Sequence, residues 1–134
     1  MTAVFGLPEP VRGDGGASWA TVQSALEMIE LSAMFNAEHA ASGKAPIALG
    51  IGIASGEVTA GHAGTPRRAS YVVVGAAVQR AAALEALTMQ HARSVLIDGA
   101  TNVALSKRAP TEGLPSATLP GSATAMPVYA LKAT

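Results

Sequence analysis

The 134 residues suit one domain, and their balance of 49% hydrophobic to 13% charged side chains excludes a disordered tail. Nine Lys+Arg offset nine Asp+Glu, so the chain has no field to steer a polyanion and no nucleic-acid partner is expected. Cysteine is absent, which removes disulfides, Fe–S clusters, thiolate zinc sites and thiol catalysis together.

In chain order, Thr2-Ala3-Val4-Phe5 reads as a short strand stopped by Gly6 and the Pro8-Glu9-Pro10 turn. Met1 to Pro10 lacks the basic region and apolar core of a signal peptide, and no apolar run reaches the roughly 18 residues of a membrane span. A cytoplasmic domain without a membrane partner is the expectation. Val11 to Gly16 is a loop by composition. From Ser18 to Ala41 the apolar residues Trp19, Val22, Leu26, Ile29 and Ala33 recur at steps of three and four. Met28, Leu31 and Phe35 widen that stripe, which predicts an amphipathic helix with one broad buried face. Met28 and Met34 read as core filler. Gly43 and Pro46 end the helix.

Ile47 to Ala54 alternates large and small, predicting a strand whose Gly50/Gly52 face lets another element approach closely. Ser55-Gly56 is a turn signal, so Val58 to His62 is expected to return as the second strand of a hairpin. Gly64 to Ala69 is a loop carrying Arg67 and Arg68, and Tyr71 to Val74 is a buried strand. A helix from Ala76 to Met89 follows, then a strand over Ser94–Ile97 and a short helix capped by Asp98 and ending at Leu105. Residues 106–126 read as an irregular loop, and Val128 to Leu131 as the closing strand of a single 1–134 domain. Helices on a mostly antiparallel sheet make this an α+β sandwich.

Chemistry-bearing motifs are sparse. Gly50-Ile51-Gly52 lies inside an alternating strand with no helix or Gly-Lys-Ser/Thr after it, so it reads as close packing and not as a phosphate loop. His39, His62 and His91 share no ligand spacing, and no metal site is expected. Ser55 is not on a G-x-S-x-G elbow. The Arg67-Arg68 pair could bind a phosphate, but an exposed basic pair is usually only solvated.

Four ordered stretches add a resemblance. They are Met1-Thr-Ala-Val-Phe-Gly-Leu-Pro8, Leu49-Gly-Ile-Gly-Ile-Ala-Ser-Gly-Glu-Val-Thr-Ala-Gly-His-Ala-Gly64, Tyr71-Val-Val-Val-Gly-Ala-Ala-Val-Gln-Arg-Ala-Ala-Ala-Leu-Glu85 and Gly121 to Leu131. Together they resemble the catalytic domain of class III adenylate/guanylate cyclases. Its patterns run M-A-V-F-G-x-P, R-I-G-I-H-T-G-E-V-x-x-G-x-x-G, Y-T-V-I-G-D-x-V-N-x-A-A-R-L-E and K-G-x-x-x-P-V-x-V-Y-x-L. The resemblance implies a ferredoxin-like cyclase-homology sandwich, here lacking the first strand and helices.

It also implies where the site is altered. The family's base-selecting position falls on Val72, its ribose-orienting Asn on Gln79 and its transition-state Arg on Ala83. Both metal-binding Asp positions and the purine-selecting Lys would precede Met1. The Asp14 of Gly13-Asp14-Gly15 lies after Val4-Phe5-Gly6 and does not replace them. The family uses Mg²⁺ or Mn²⁺; with those carboxylates absent no cofactor is expected here, and a nucleotide is the one small-molecule partner left. The implied function is a degenerate domain, inactive alone, that acts as a dimerisation, regulatory or binding module in cyclic-nucleotide signalling. The alternative is a cyclase, converting ATP or GTP to cyclic nucleotide and pyrophosphate, whose metal-binding part is missing from this chain. A remnant without selected function is a third reading. Without the family's central strand, Ile47, Leu49, Ile51 and Ile53 would be exposed along an open edge, so a homo-oligomer, a two-fold dimer, is expected.

Overall fold

A computed structural model of the chain describes residues 3, 5–6, 16–65, 68–91, 93–105, 108–118 and 125–131. Thr2 and Val4 of the first expected strand, the Gly13–Gly15 loop and Arg67 lie outside them. The elements in order are α1 (Gly16–Ala41), β1 (Ile51–Ile53), β2 (Thr59–Thr65), β3 (Arg68–Val74), α2 (Ala76–His91), β4 (Val95–Asp98), α3 (Gly99–Leu105), β5 (Thr111–Thr118) and β6 (Ala125–Leu131). Four strands form a sheet in the order β1-β4-β6-β5, and β2 and β3 form a separate two-stranded sheet. Only β1 and β4 run parallel. The α+β architecture is as expected.

The sheet has helices on both faces. Val22 and Ala25 of α1 and Leu105 of α3 pack with Ile53, Val95, Ile97 and Leu131 on one side. Leu84 of α2 packs with Leu96, Val128 and Ala130 on the other. Strand alternation sorts these residues, since successive side chains point to opposite faces. No described helix is long and apolar enough to cross a membrane.

Gly43 ends α1 as the sequence indicates. Its φ is +74°, its N–H donates to the Ala40 carbonyl at 3.1 Å, and Lys44 N–H donates to the His39 carbonyl at 2.9 Å. This left-handed residue closes the helix at little cost because glycine has no Cβ. The broad buried face, however, does not extend along the whole helix. At 26 residues α1 is about 39 Å long, whereas β1 spans about 10 Å. The overhanging C-terminal half leaves Leu31 at 64%, Met34 at 62% and Phe35 at 44% exposure. Met34 is therefore not core filler.

Three further expectations change. Ile47–Gly50 is not paired, because β4 offers register partners only from Val95 opposite Ile51. Asn36 instead clamps Ile47, its Nδ2 donating to the Ile47 carbonyl at 2.9 Å and its Oδ1 accepting from Ile47 N–H at 2.7 Å. Ile47 and Leu49 are exposed as expected, but Ile53 is buried and Ile51 half-buried against α1. The hairpin joins β2 to β3 and not to β1, with Thr65 opposite Arg68 where a Gly64–Ala69 loop was expected. Finally, Thr111–Thr118 inside the expected 106–126 loop is a strand paired with β6. As an edge strand with a register shift between Leu114 and Ala117, β5 can hold Pro115 without losing a ladder donor.

The Gly50/Gly52 face does admit a close neighbour. A Cβ at Gly52 would lie 2.2 Å from the Ala81 carbonyl oxygen and 2.4 Å from the Glu85 nitrogen, both α2 backbone. At Gly50 the nearest atom is the Thr88 hydroxyl, a side-chain group that can move. At Gly61 nothing lies within 4 Å. Urea unfolding should therefore rank the three alanine variants. Gly52→Ala should cost about 3 kcal/mol, Gly50→Ala about 1, and Gly61→Ala about zero. A Gly52→Ala variant as stable as Gly61→Ala would contradict this packing.

Candidate functional site

β4 ends on Asp98, a carboxylate with 2% of its surface exposed. Its position is fixed by the strand-to-helix junction. Asp98 Oδ1 accepts from the Thr101 N–H at 2.9 Å and thereby caps α3, as the sequence predicts. The same oxygen accepts from the Thr101 hydroxyl at 2.7 Å and, at 3.4 Å, from Ser55 N–H. The other oxygen accepts from Arg80 Nε at 3.2 Å. Arg80, on α2, also donates through Nη2 to the Ser55 carbonyl at 2.9 Å.

Proton counting orients a chain of hydroxyls. A carboxylate only accepts, so Thr101 uses its single proton on Asp98. Ser55 Oγ, 2.8 Å from Thr101 Oγ1, must then donate to it, and Ser18 Oγ, 3.1 Å from Ser55 Oγ, must donate to Ser55. The relay runs Ser18 to Ser55 to Thr101 to Asp98. It ends at a cavity of about 660 Å³ that Ser18 and Ser55 both line. The rest of that lining is mostly apolar or small, and Glu57 is its one formally charged residue among those described.

The residues singled out by resemblance do not join this network. Gln79 is exposed and Ala83 half-buried, one turn apart on α2. Val72 stands on β3 opposite Gly61, and Arg68 on β3 opposite Thr65. Arg67 lies outside the described residues. Among the described residues no three His, Asp or Glu side chains converge on a point that could hold a metal. His39 stacks with Phe35 at 4.0 Å between ring centroids, and His91 ends α2.

Sequence reasoning found Asp98 only as a cap and missed its link to Arg80, 18 positions away. An arginine in an otherwise alanine-rich helix was the available signal. Loss of the carboxylate removes the cap and leaves Arg80 with the Ser55 carbonyl alone at the end of the sheet. Asp98→Ala should cost about 3 kcal/mol in urea unfolding, and Ser18→Ala, at the open end of the relay, less than about 1. Equal losses in the two variants would mean that the relay is not anchored at Asp98.

Comparison with known proteins agrees with the fold. The adenylyl cyclase CyaB from P. aeruginosa superposes with a TM-score of 0.84 at 21% identity, over 97% of this chain and 65% of that one. The guanylate cyclase domain of RhGC from Catenaria anguillulae, in complex with GTP, gives 0.76 at 26% identity over 96% of this chain and 65% of that one. The guanylyl cyclase Cya2 gives 0.74 at 23% identity, over 95% and 62%. The chain thus spans less than two thirds of the length of these structures. No curated protein matches it. The family model described as the adenylate and guanylate cyclase catalytic domain matches residues 2–132, nearly the whole chain, and the protein belongs to that family.

Proposed function

We propose that this domain does not cyclise a nucleotide by itself, and that it serves as a dimerisation, regulatory or binding module in cyclic-nucleotide signalling. The observation that carries the reading is the state of α2. Cyclisation builds charge on phosphorus, and the chemistry needs positioned cations there. The family's Arg position is Ala83, and Val72 offers no hydrogen bond to a base. Arg80, the one arginine on α2, is held by Asp98 and the Ser55 carbonyl. Gln79 is the polar group that remains beside Ala83.

A second reading keeps catalysis and assigns the missing parts to residues outside this chain. The 65% coverage of CyaB favours it. Both readings meet in one assay, purified protein with ATP or GTP and millimolar Mn²⁺. No cyclic AMP or cyclic GMP above a no-protein blank is expected, and Ala83→Arg alone should not restore it. Metal-dependent product from the natural chain would overturn the proposal.

The module reading includes self-association. Leu31, Met34 and Phe35 of α1, and Ile47 and Leu49 before β1, are all exposed. A two-fold dimer that covers part of this surface is the proposed state. Light scattering over a wide dilution range should give twice the 13.4 kDa chain mass. A folded monomer at every concentration would rule the dimer out.

A further inference from the structure

α1 presents two different faces. One packs on the sheet through Val22, Ala25 and Ile29. At about 3.6 residues per turn, Met28, Leu31, Met34 and Phe35 fall away from that face, three and four positions apart, so their side chains are neighbours on the helix surface. Leu31, Met34 and Phe35 are exposed and Met28 is half-buried. Phe35 is braced by His39, whose ring stacks on it. An apolar ridge of about two to three turns thus stands on a helix that has already buried its core face.

The ridge is edged by charge of one sign. Glu27, Glu30 and Glu38 are exposed and, by the same helical count, lie on one flank of it. Gly16–Ala41 holds no lysine or arginine. The ion pairs among the described residues, Arg80–Asp98 and Arg93–Glu112, include none of the three glutamates. Carboxylates beside an apolar ridge repel an anionic membrane surface or a nucleic acid. They also disfavour a second α1. An antiparallel two-fold contact through Leu31 and Phe35 lays Glu27 near Glu38 of the partner subunit, and like charges so placed weaken an interface. At this ridge a second copy is the poorer fit, which leaves Ile47 and Leu49 to the two-fold dimer proposed above.

We propose that the outer ridge of α1 is a docking face for a partner amphipathic helix whose apolar stripe is flanked by lysine or arginine. The stripe covers Leu31, Met34 and Phe35, and the flanking cations meet Glu27, Glu30 and Glu38. Anchors spaced by three and four residues match a helix lying along α1. Methionine adapts its shape to what packs on it. Exposed ion pairs contribute little each, so the apolar contact supplies affinity while the charges set encounter and choice of partner. The proposal does not depend on whether the domain is catalytically inactive.

The probe is a capped, alanine-based helical peptide of about 15 residues, with leucines at helical spacing on one face and lysines on both flanks. One control peptide carries glutamates in place of the lysines, and another holds the same residues in scrambled order. Binding to the full chain is followed by NMR. The lysine peptide should bind, shift the signals of Leu31, Met34 and Phe35, and lose affinity by about fivefold from low to high salt. Leu31→Gln and Glu27→Lys, both at exposed positions, should each weaken it by about fivefold while thermal melting stays cooperative. Absence of binding would overturn the proposal. So would equal binding of the scrambled peptide, which would mark charge attraction only, or of the glutamate peptide, which would mark apolar contact only. Light scattering on Leu31→Gln should match that of the natural chain; conversion of a dimer to a monomer would give the ridge to the dimer and overturn the proposal too. The nucleotide assay reads the catalytic question separately, so failure of one reading leaves the other standing.

Discussion

A carboxylate buried at the end of a strand must be surrounded by donors, because an unpaired buried charge costs several kcal/mol. Asp98 meets that demand with the Thr101 amide and hydroxyl, the Ser55 amide and the Arg80 guanidinium. Each donor fixes a different element. Thr101 starts α3, Ser55 holds the chain as it leaves β1, and Arg80 anchors the first turns of α2. The ends of two parallel strands and two helices are thus organised around one side chain. The same geometry has a chemical consequence. The guanidinium on α2 is turned toward Asp98 and the Ser55 carbonyl, through Nε and Nη2.

The path of the chain after β1 follows from the same contacts. Arg80 binds the Ser55 carbonyl, and a Cβ at Gly56 would lie 3.0 Å from Arg80 Nη2. Ser55 is thereby held against α2, and β2 departs to pair with β3 instead of folding back on β1. On the same face of the strand, Gly52 lets α2 approach to backbone contact. Among the described residues β4 is the one strand beside β1, and helices pack on both faces of the sheet.

Local pattern made much of this legible. The α1 period, the Gly43 stop and the Asp98 cap each rest on interactions within a few residues, and each is present. What pattern could not supply was the neighbour of each strand. Ile47–Gly50 alternates as well as Ile51–Ile53 does, yet no strand stands beside it. Thr111–Thr118 contains Gly113 and Pro115, which mark loops by composition, yet β6 draws it into the sheet as an edge. The α1 stripe was readable, but its burial depends on how far the sheet extends beneath it. Ala83, Gln79 and Val72 were singled out through family resemblance, which names positions and no contacts. The Arg80–Asp98 link has no local signature, because strand and helix meet only in the folded chain.

The central claim is that Asp98 holds Arg80 inward, so that α2 presents no free guanidinium. Side-chain NMR of the Arg80 Nε–H under titration with Mg²⁺-ATP tests this most directly. Arg93 serves as the reference, since its salt bridge to Glu112 is made through Nη2 on a more exposed side chain. The account predicts an Arg80 Nε–H that exchanges with water more slowly than that of Arg93, and that is unmoved by the nucleotide. An Arg80 signal that exchanges as fast as Arg93, or that shifts with ATP and returns when it is removed, would contradict it.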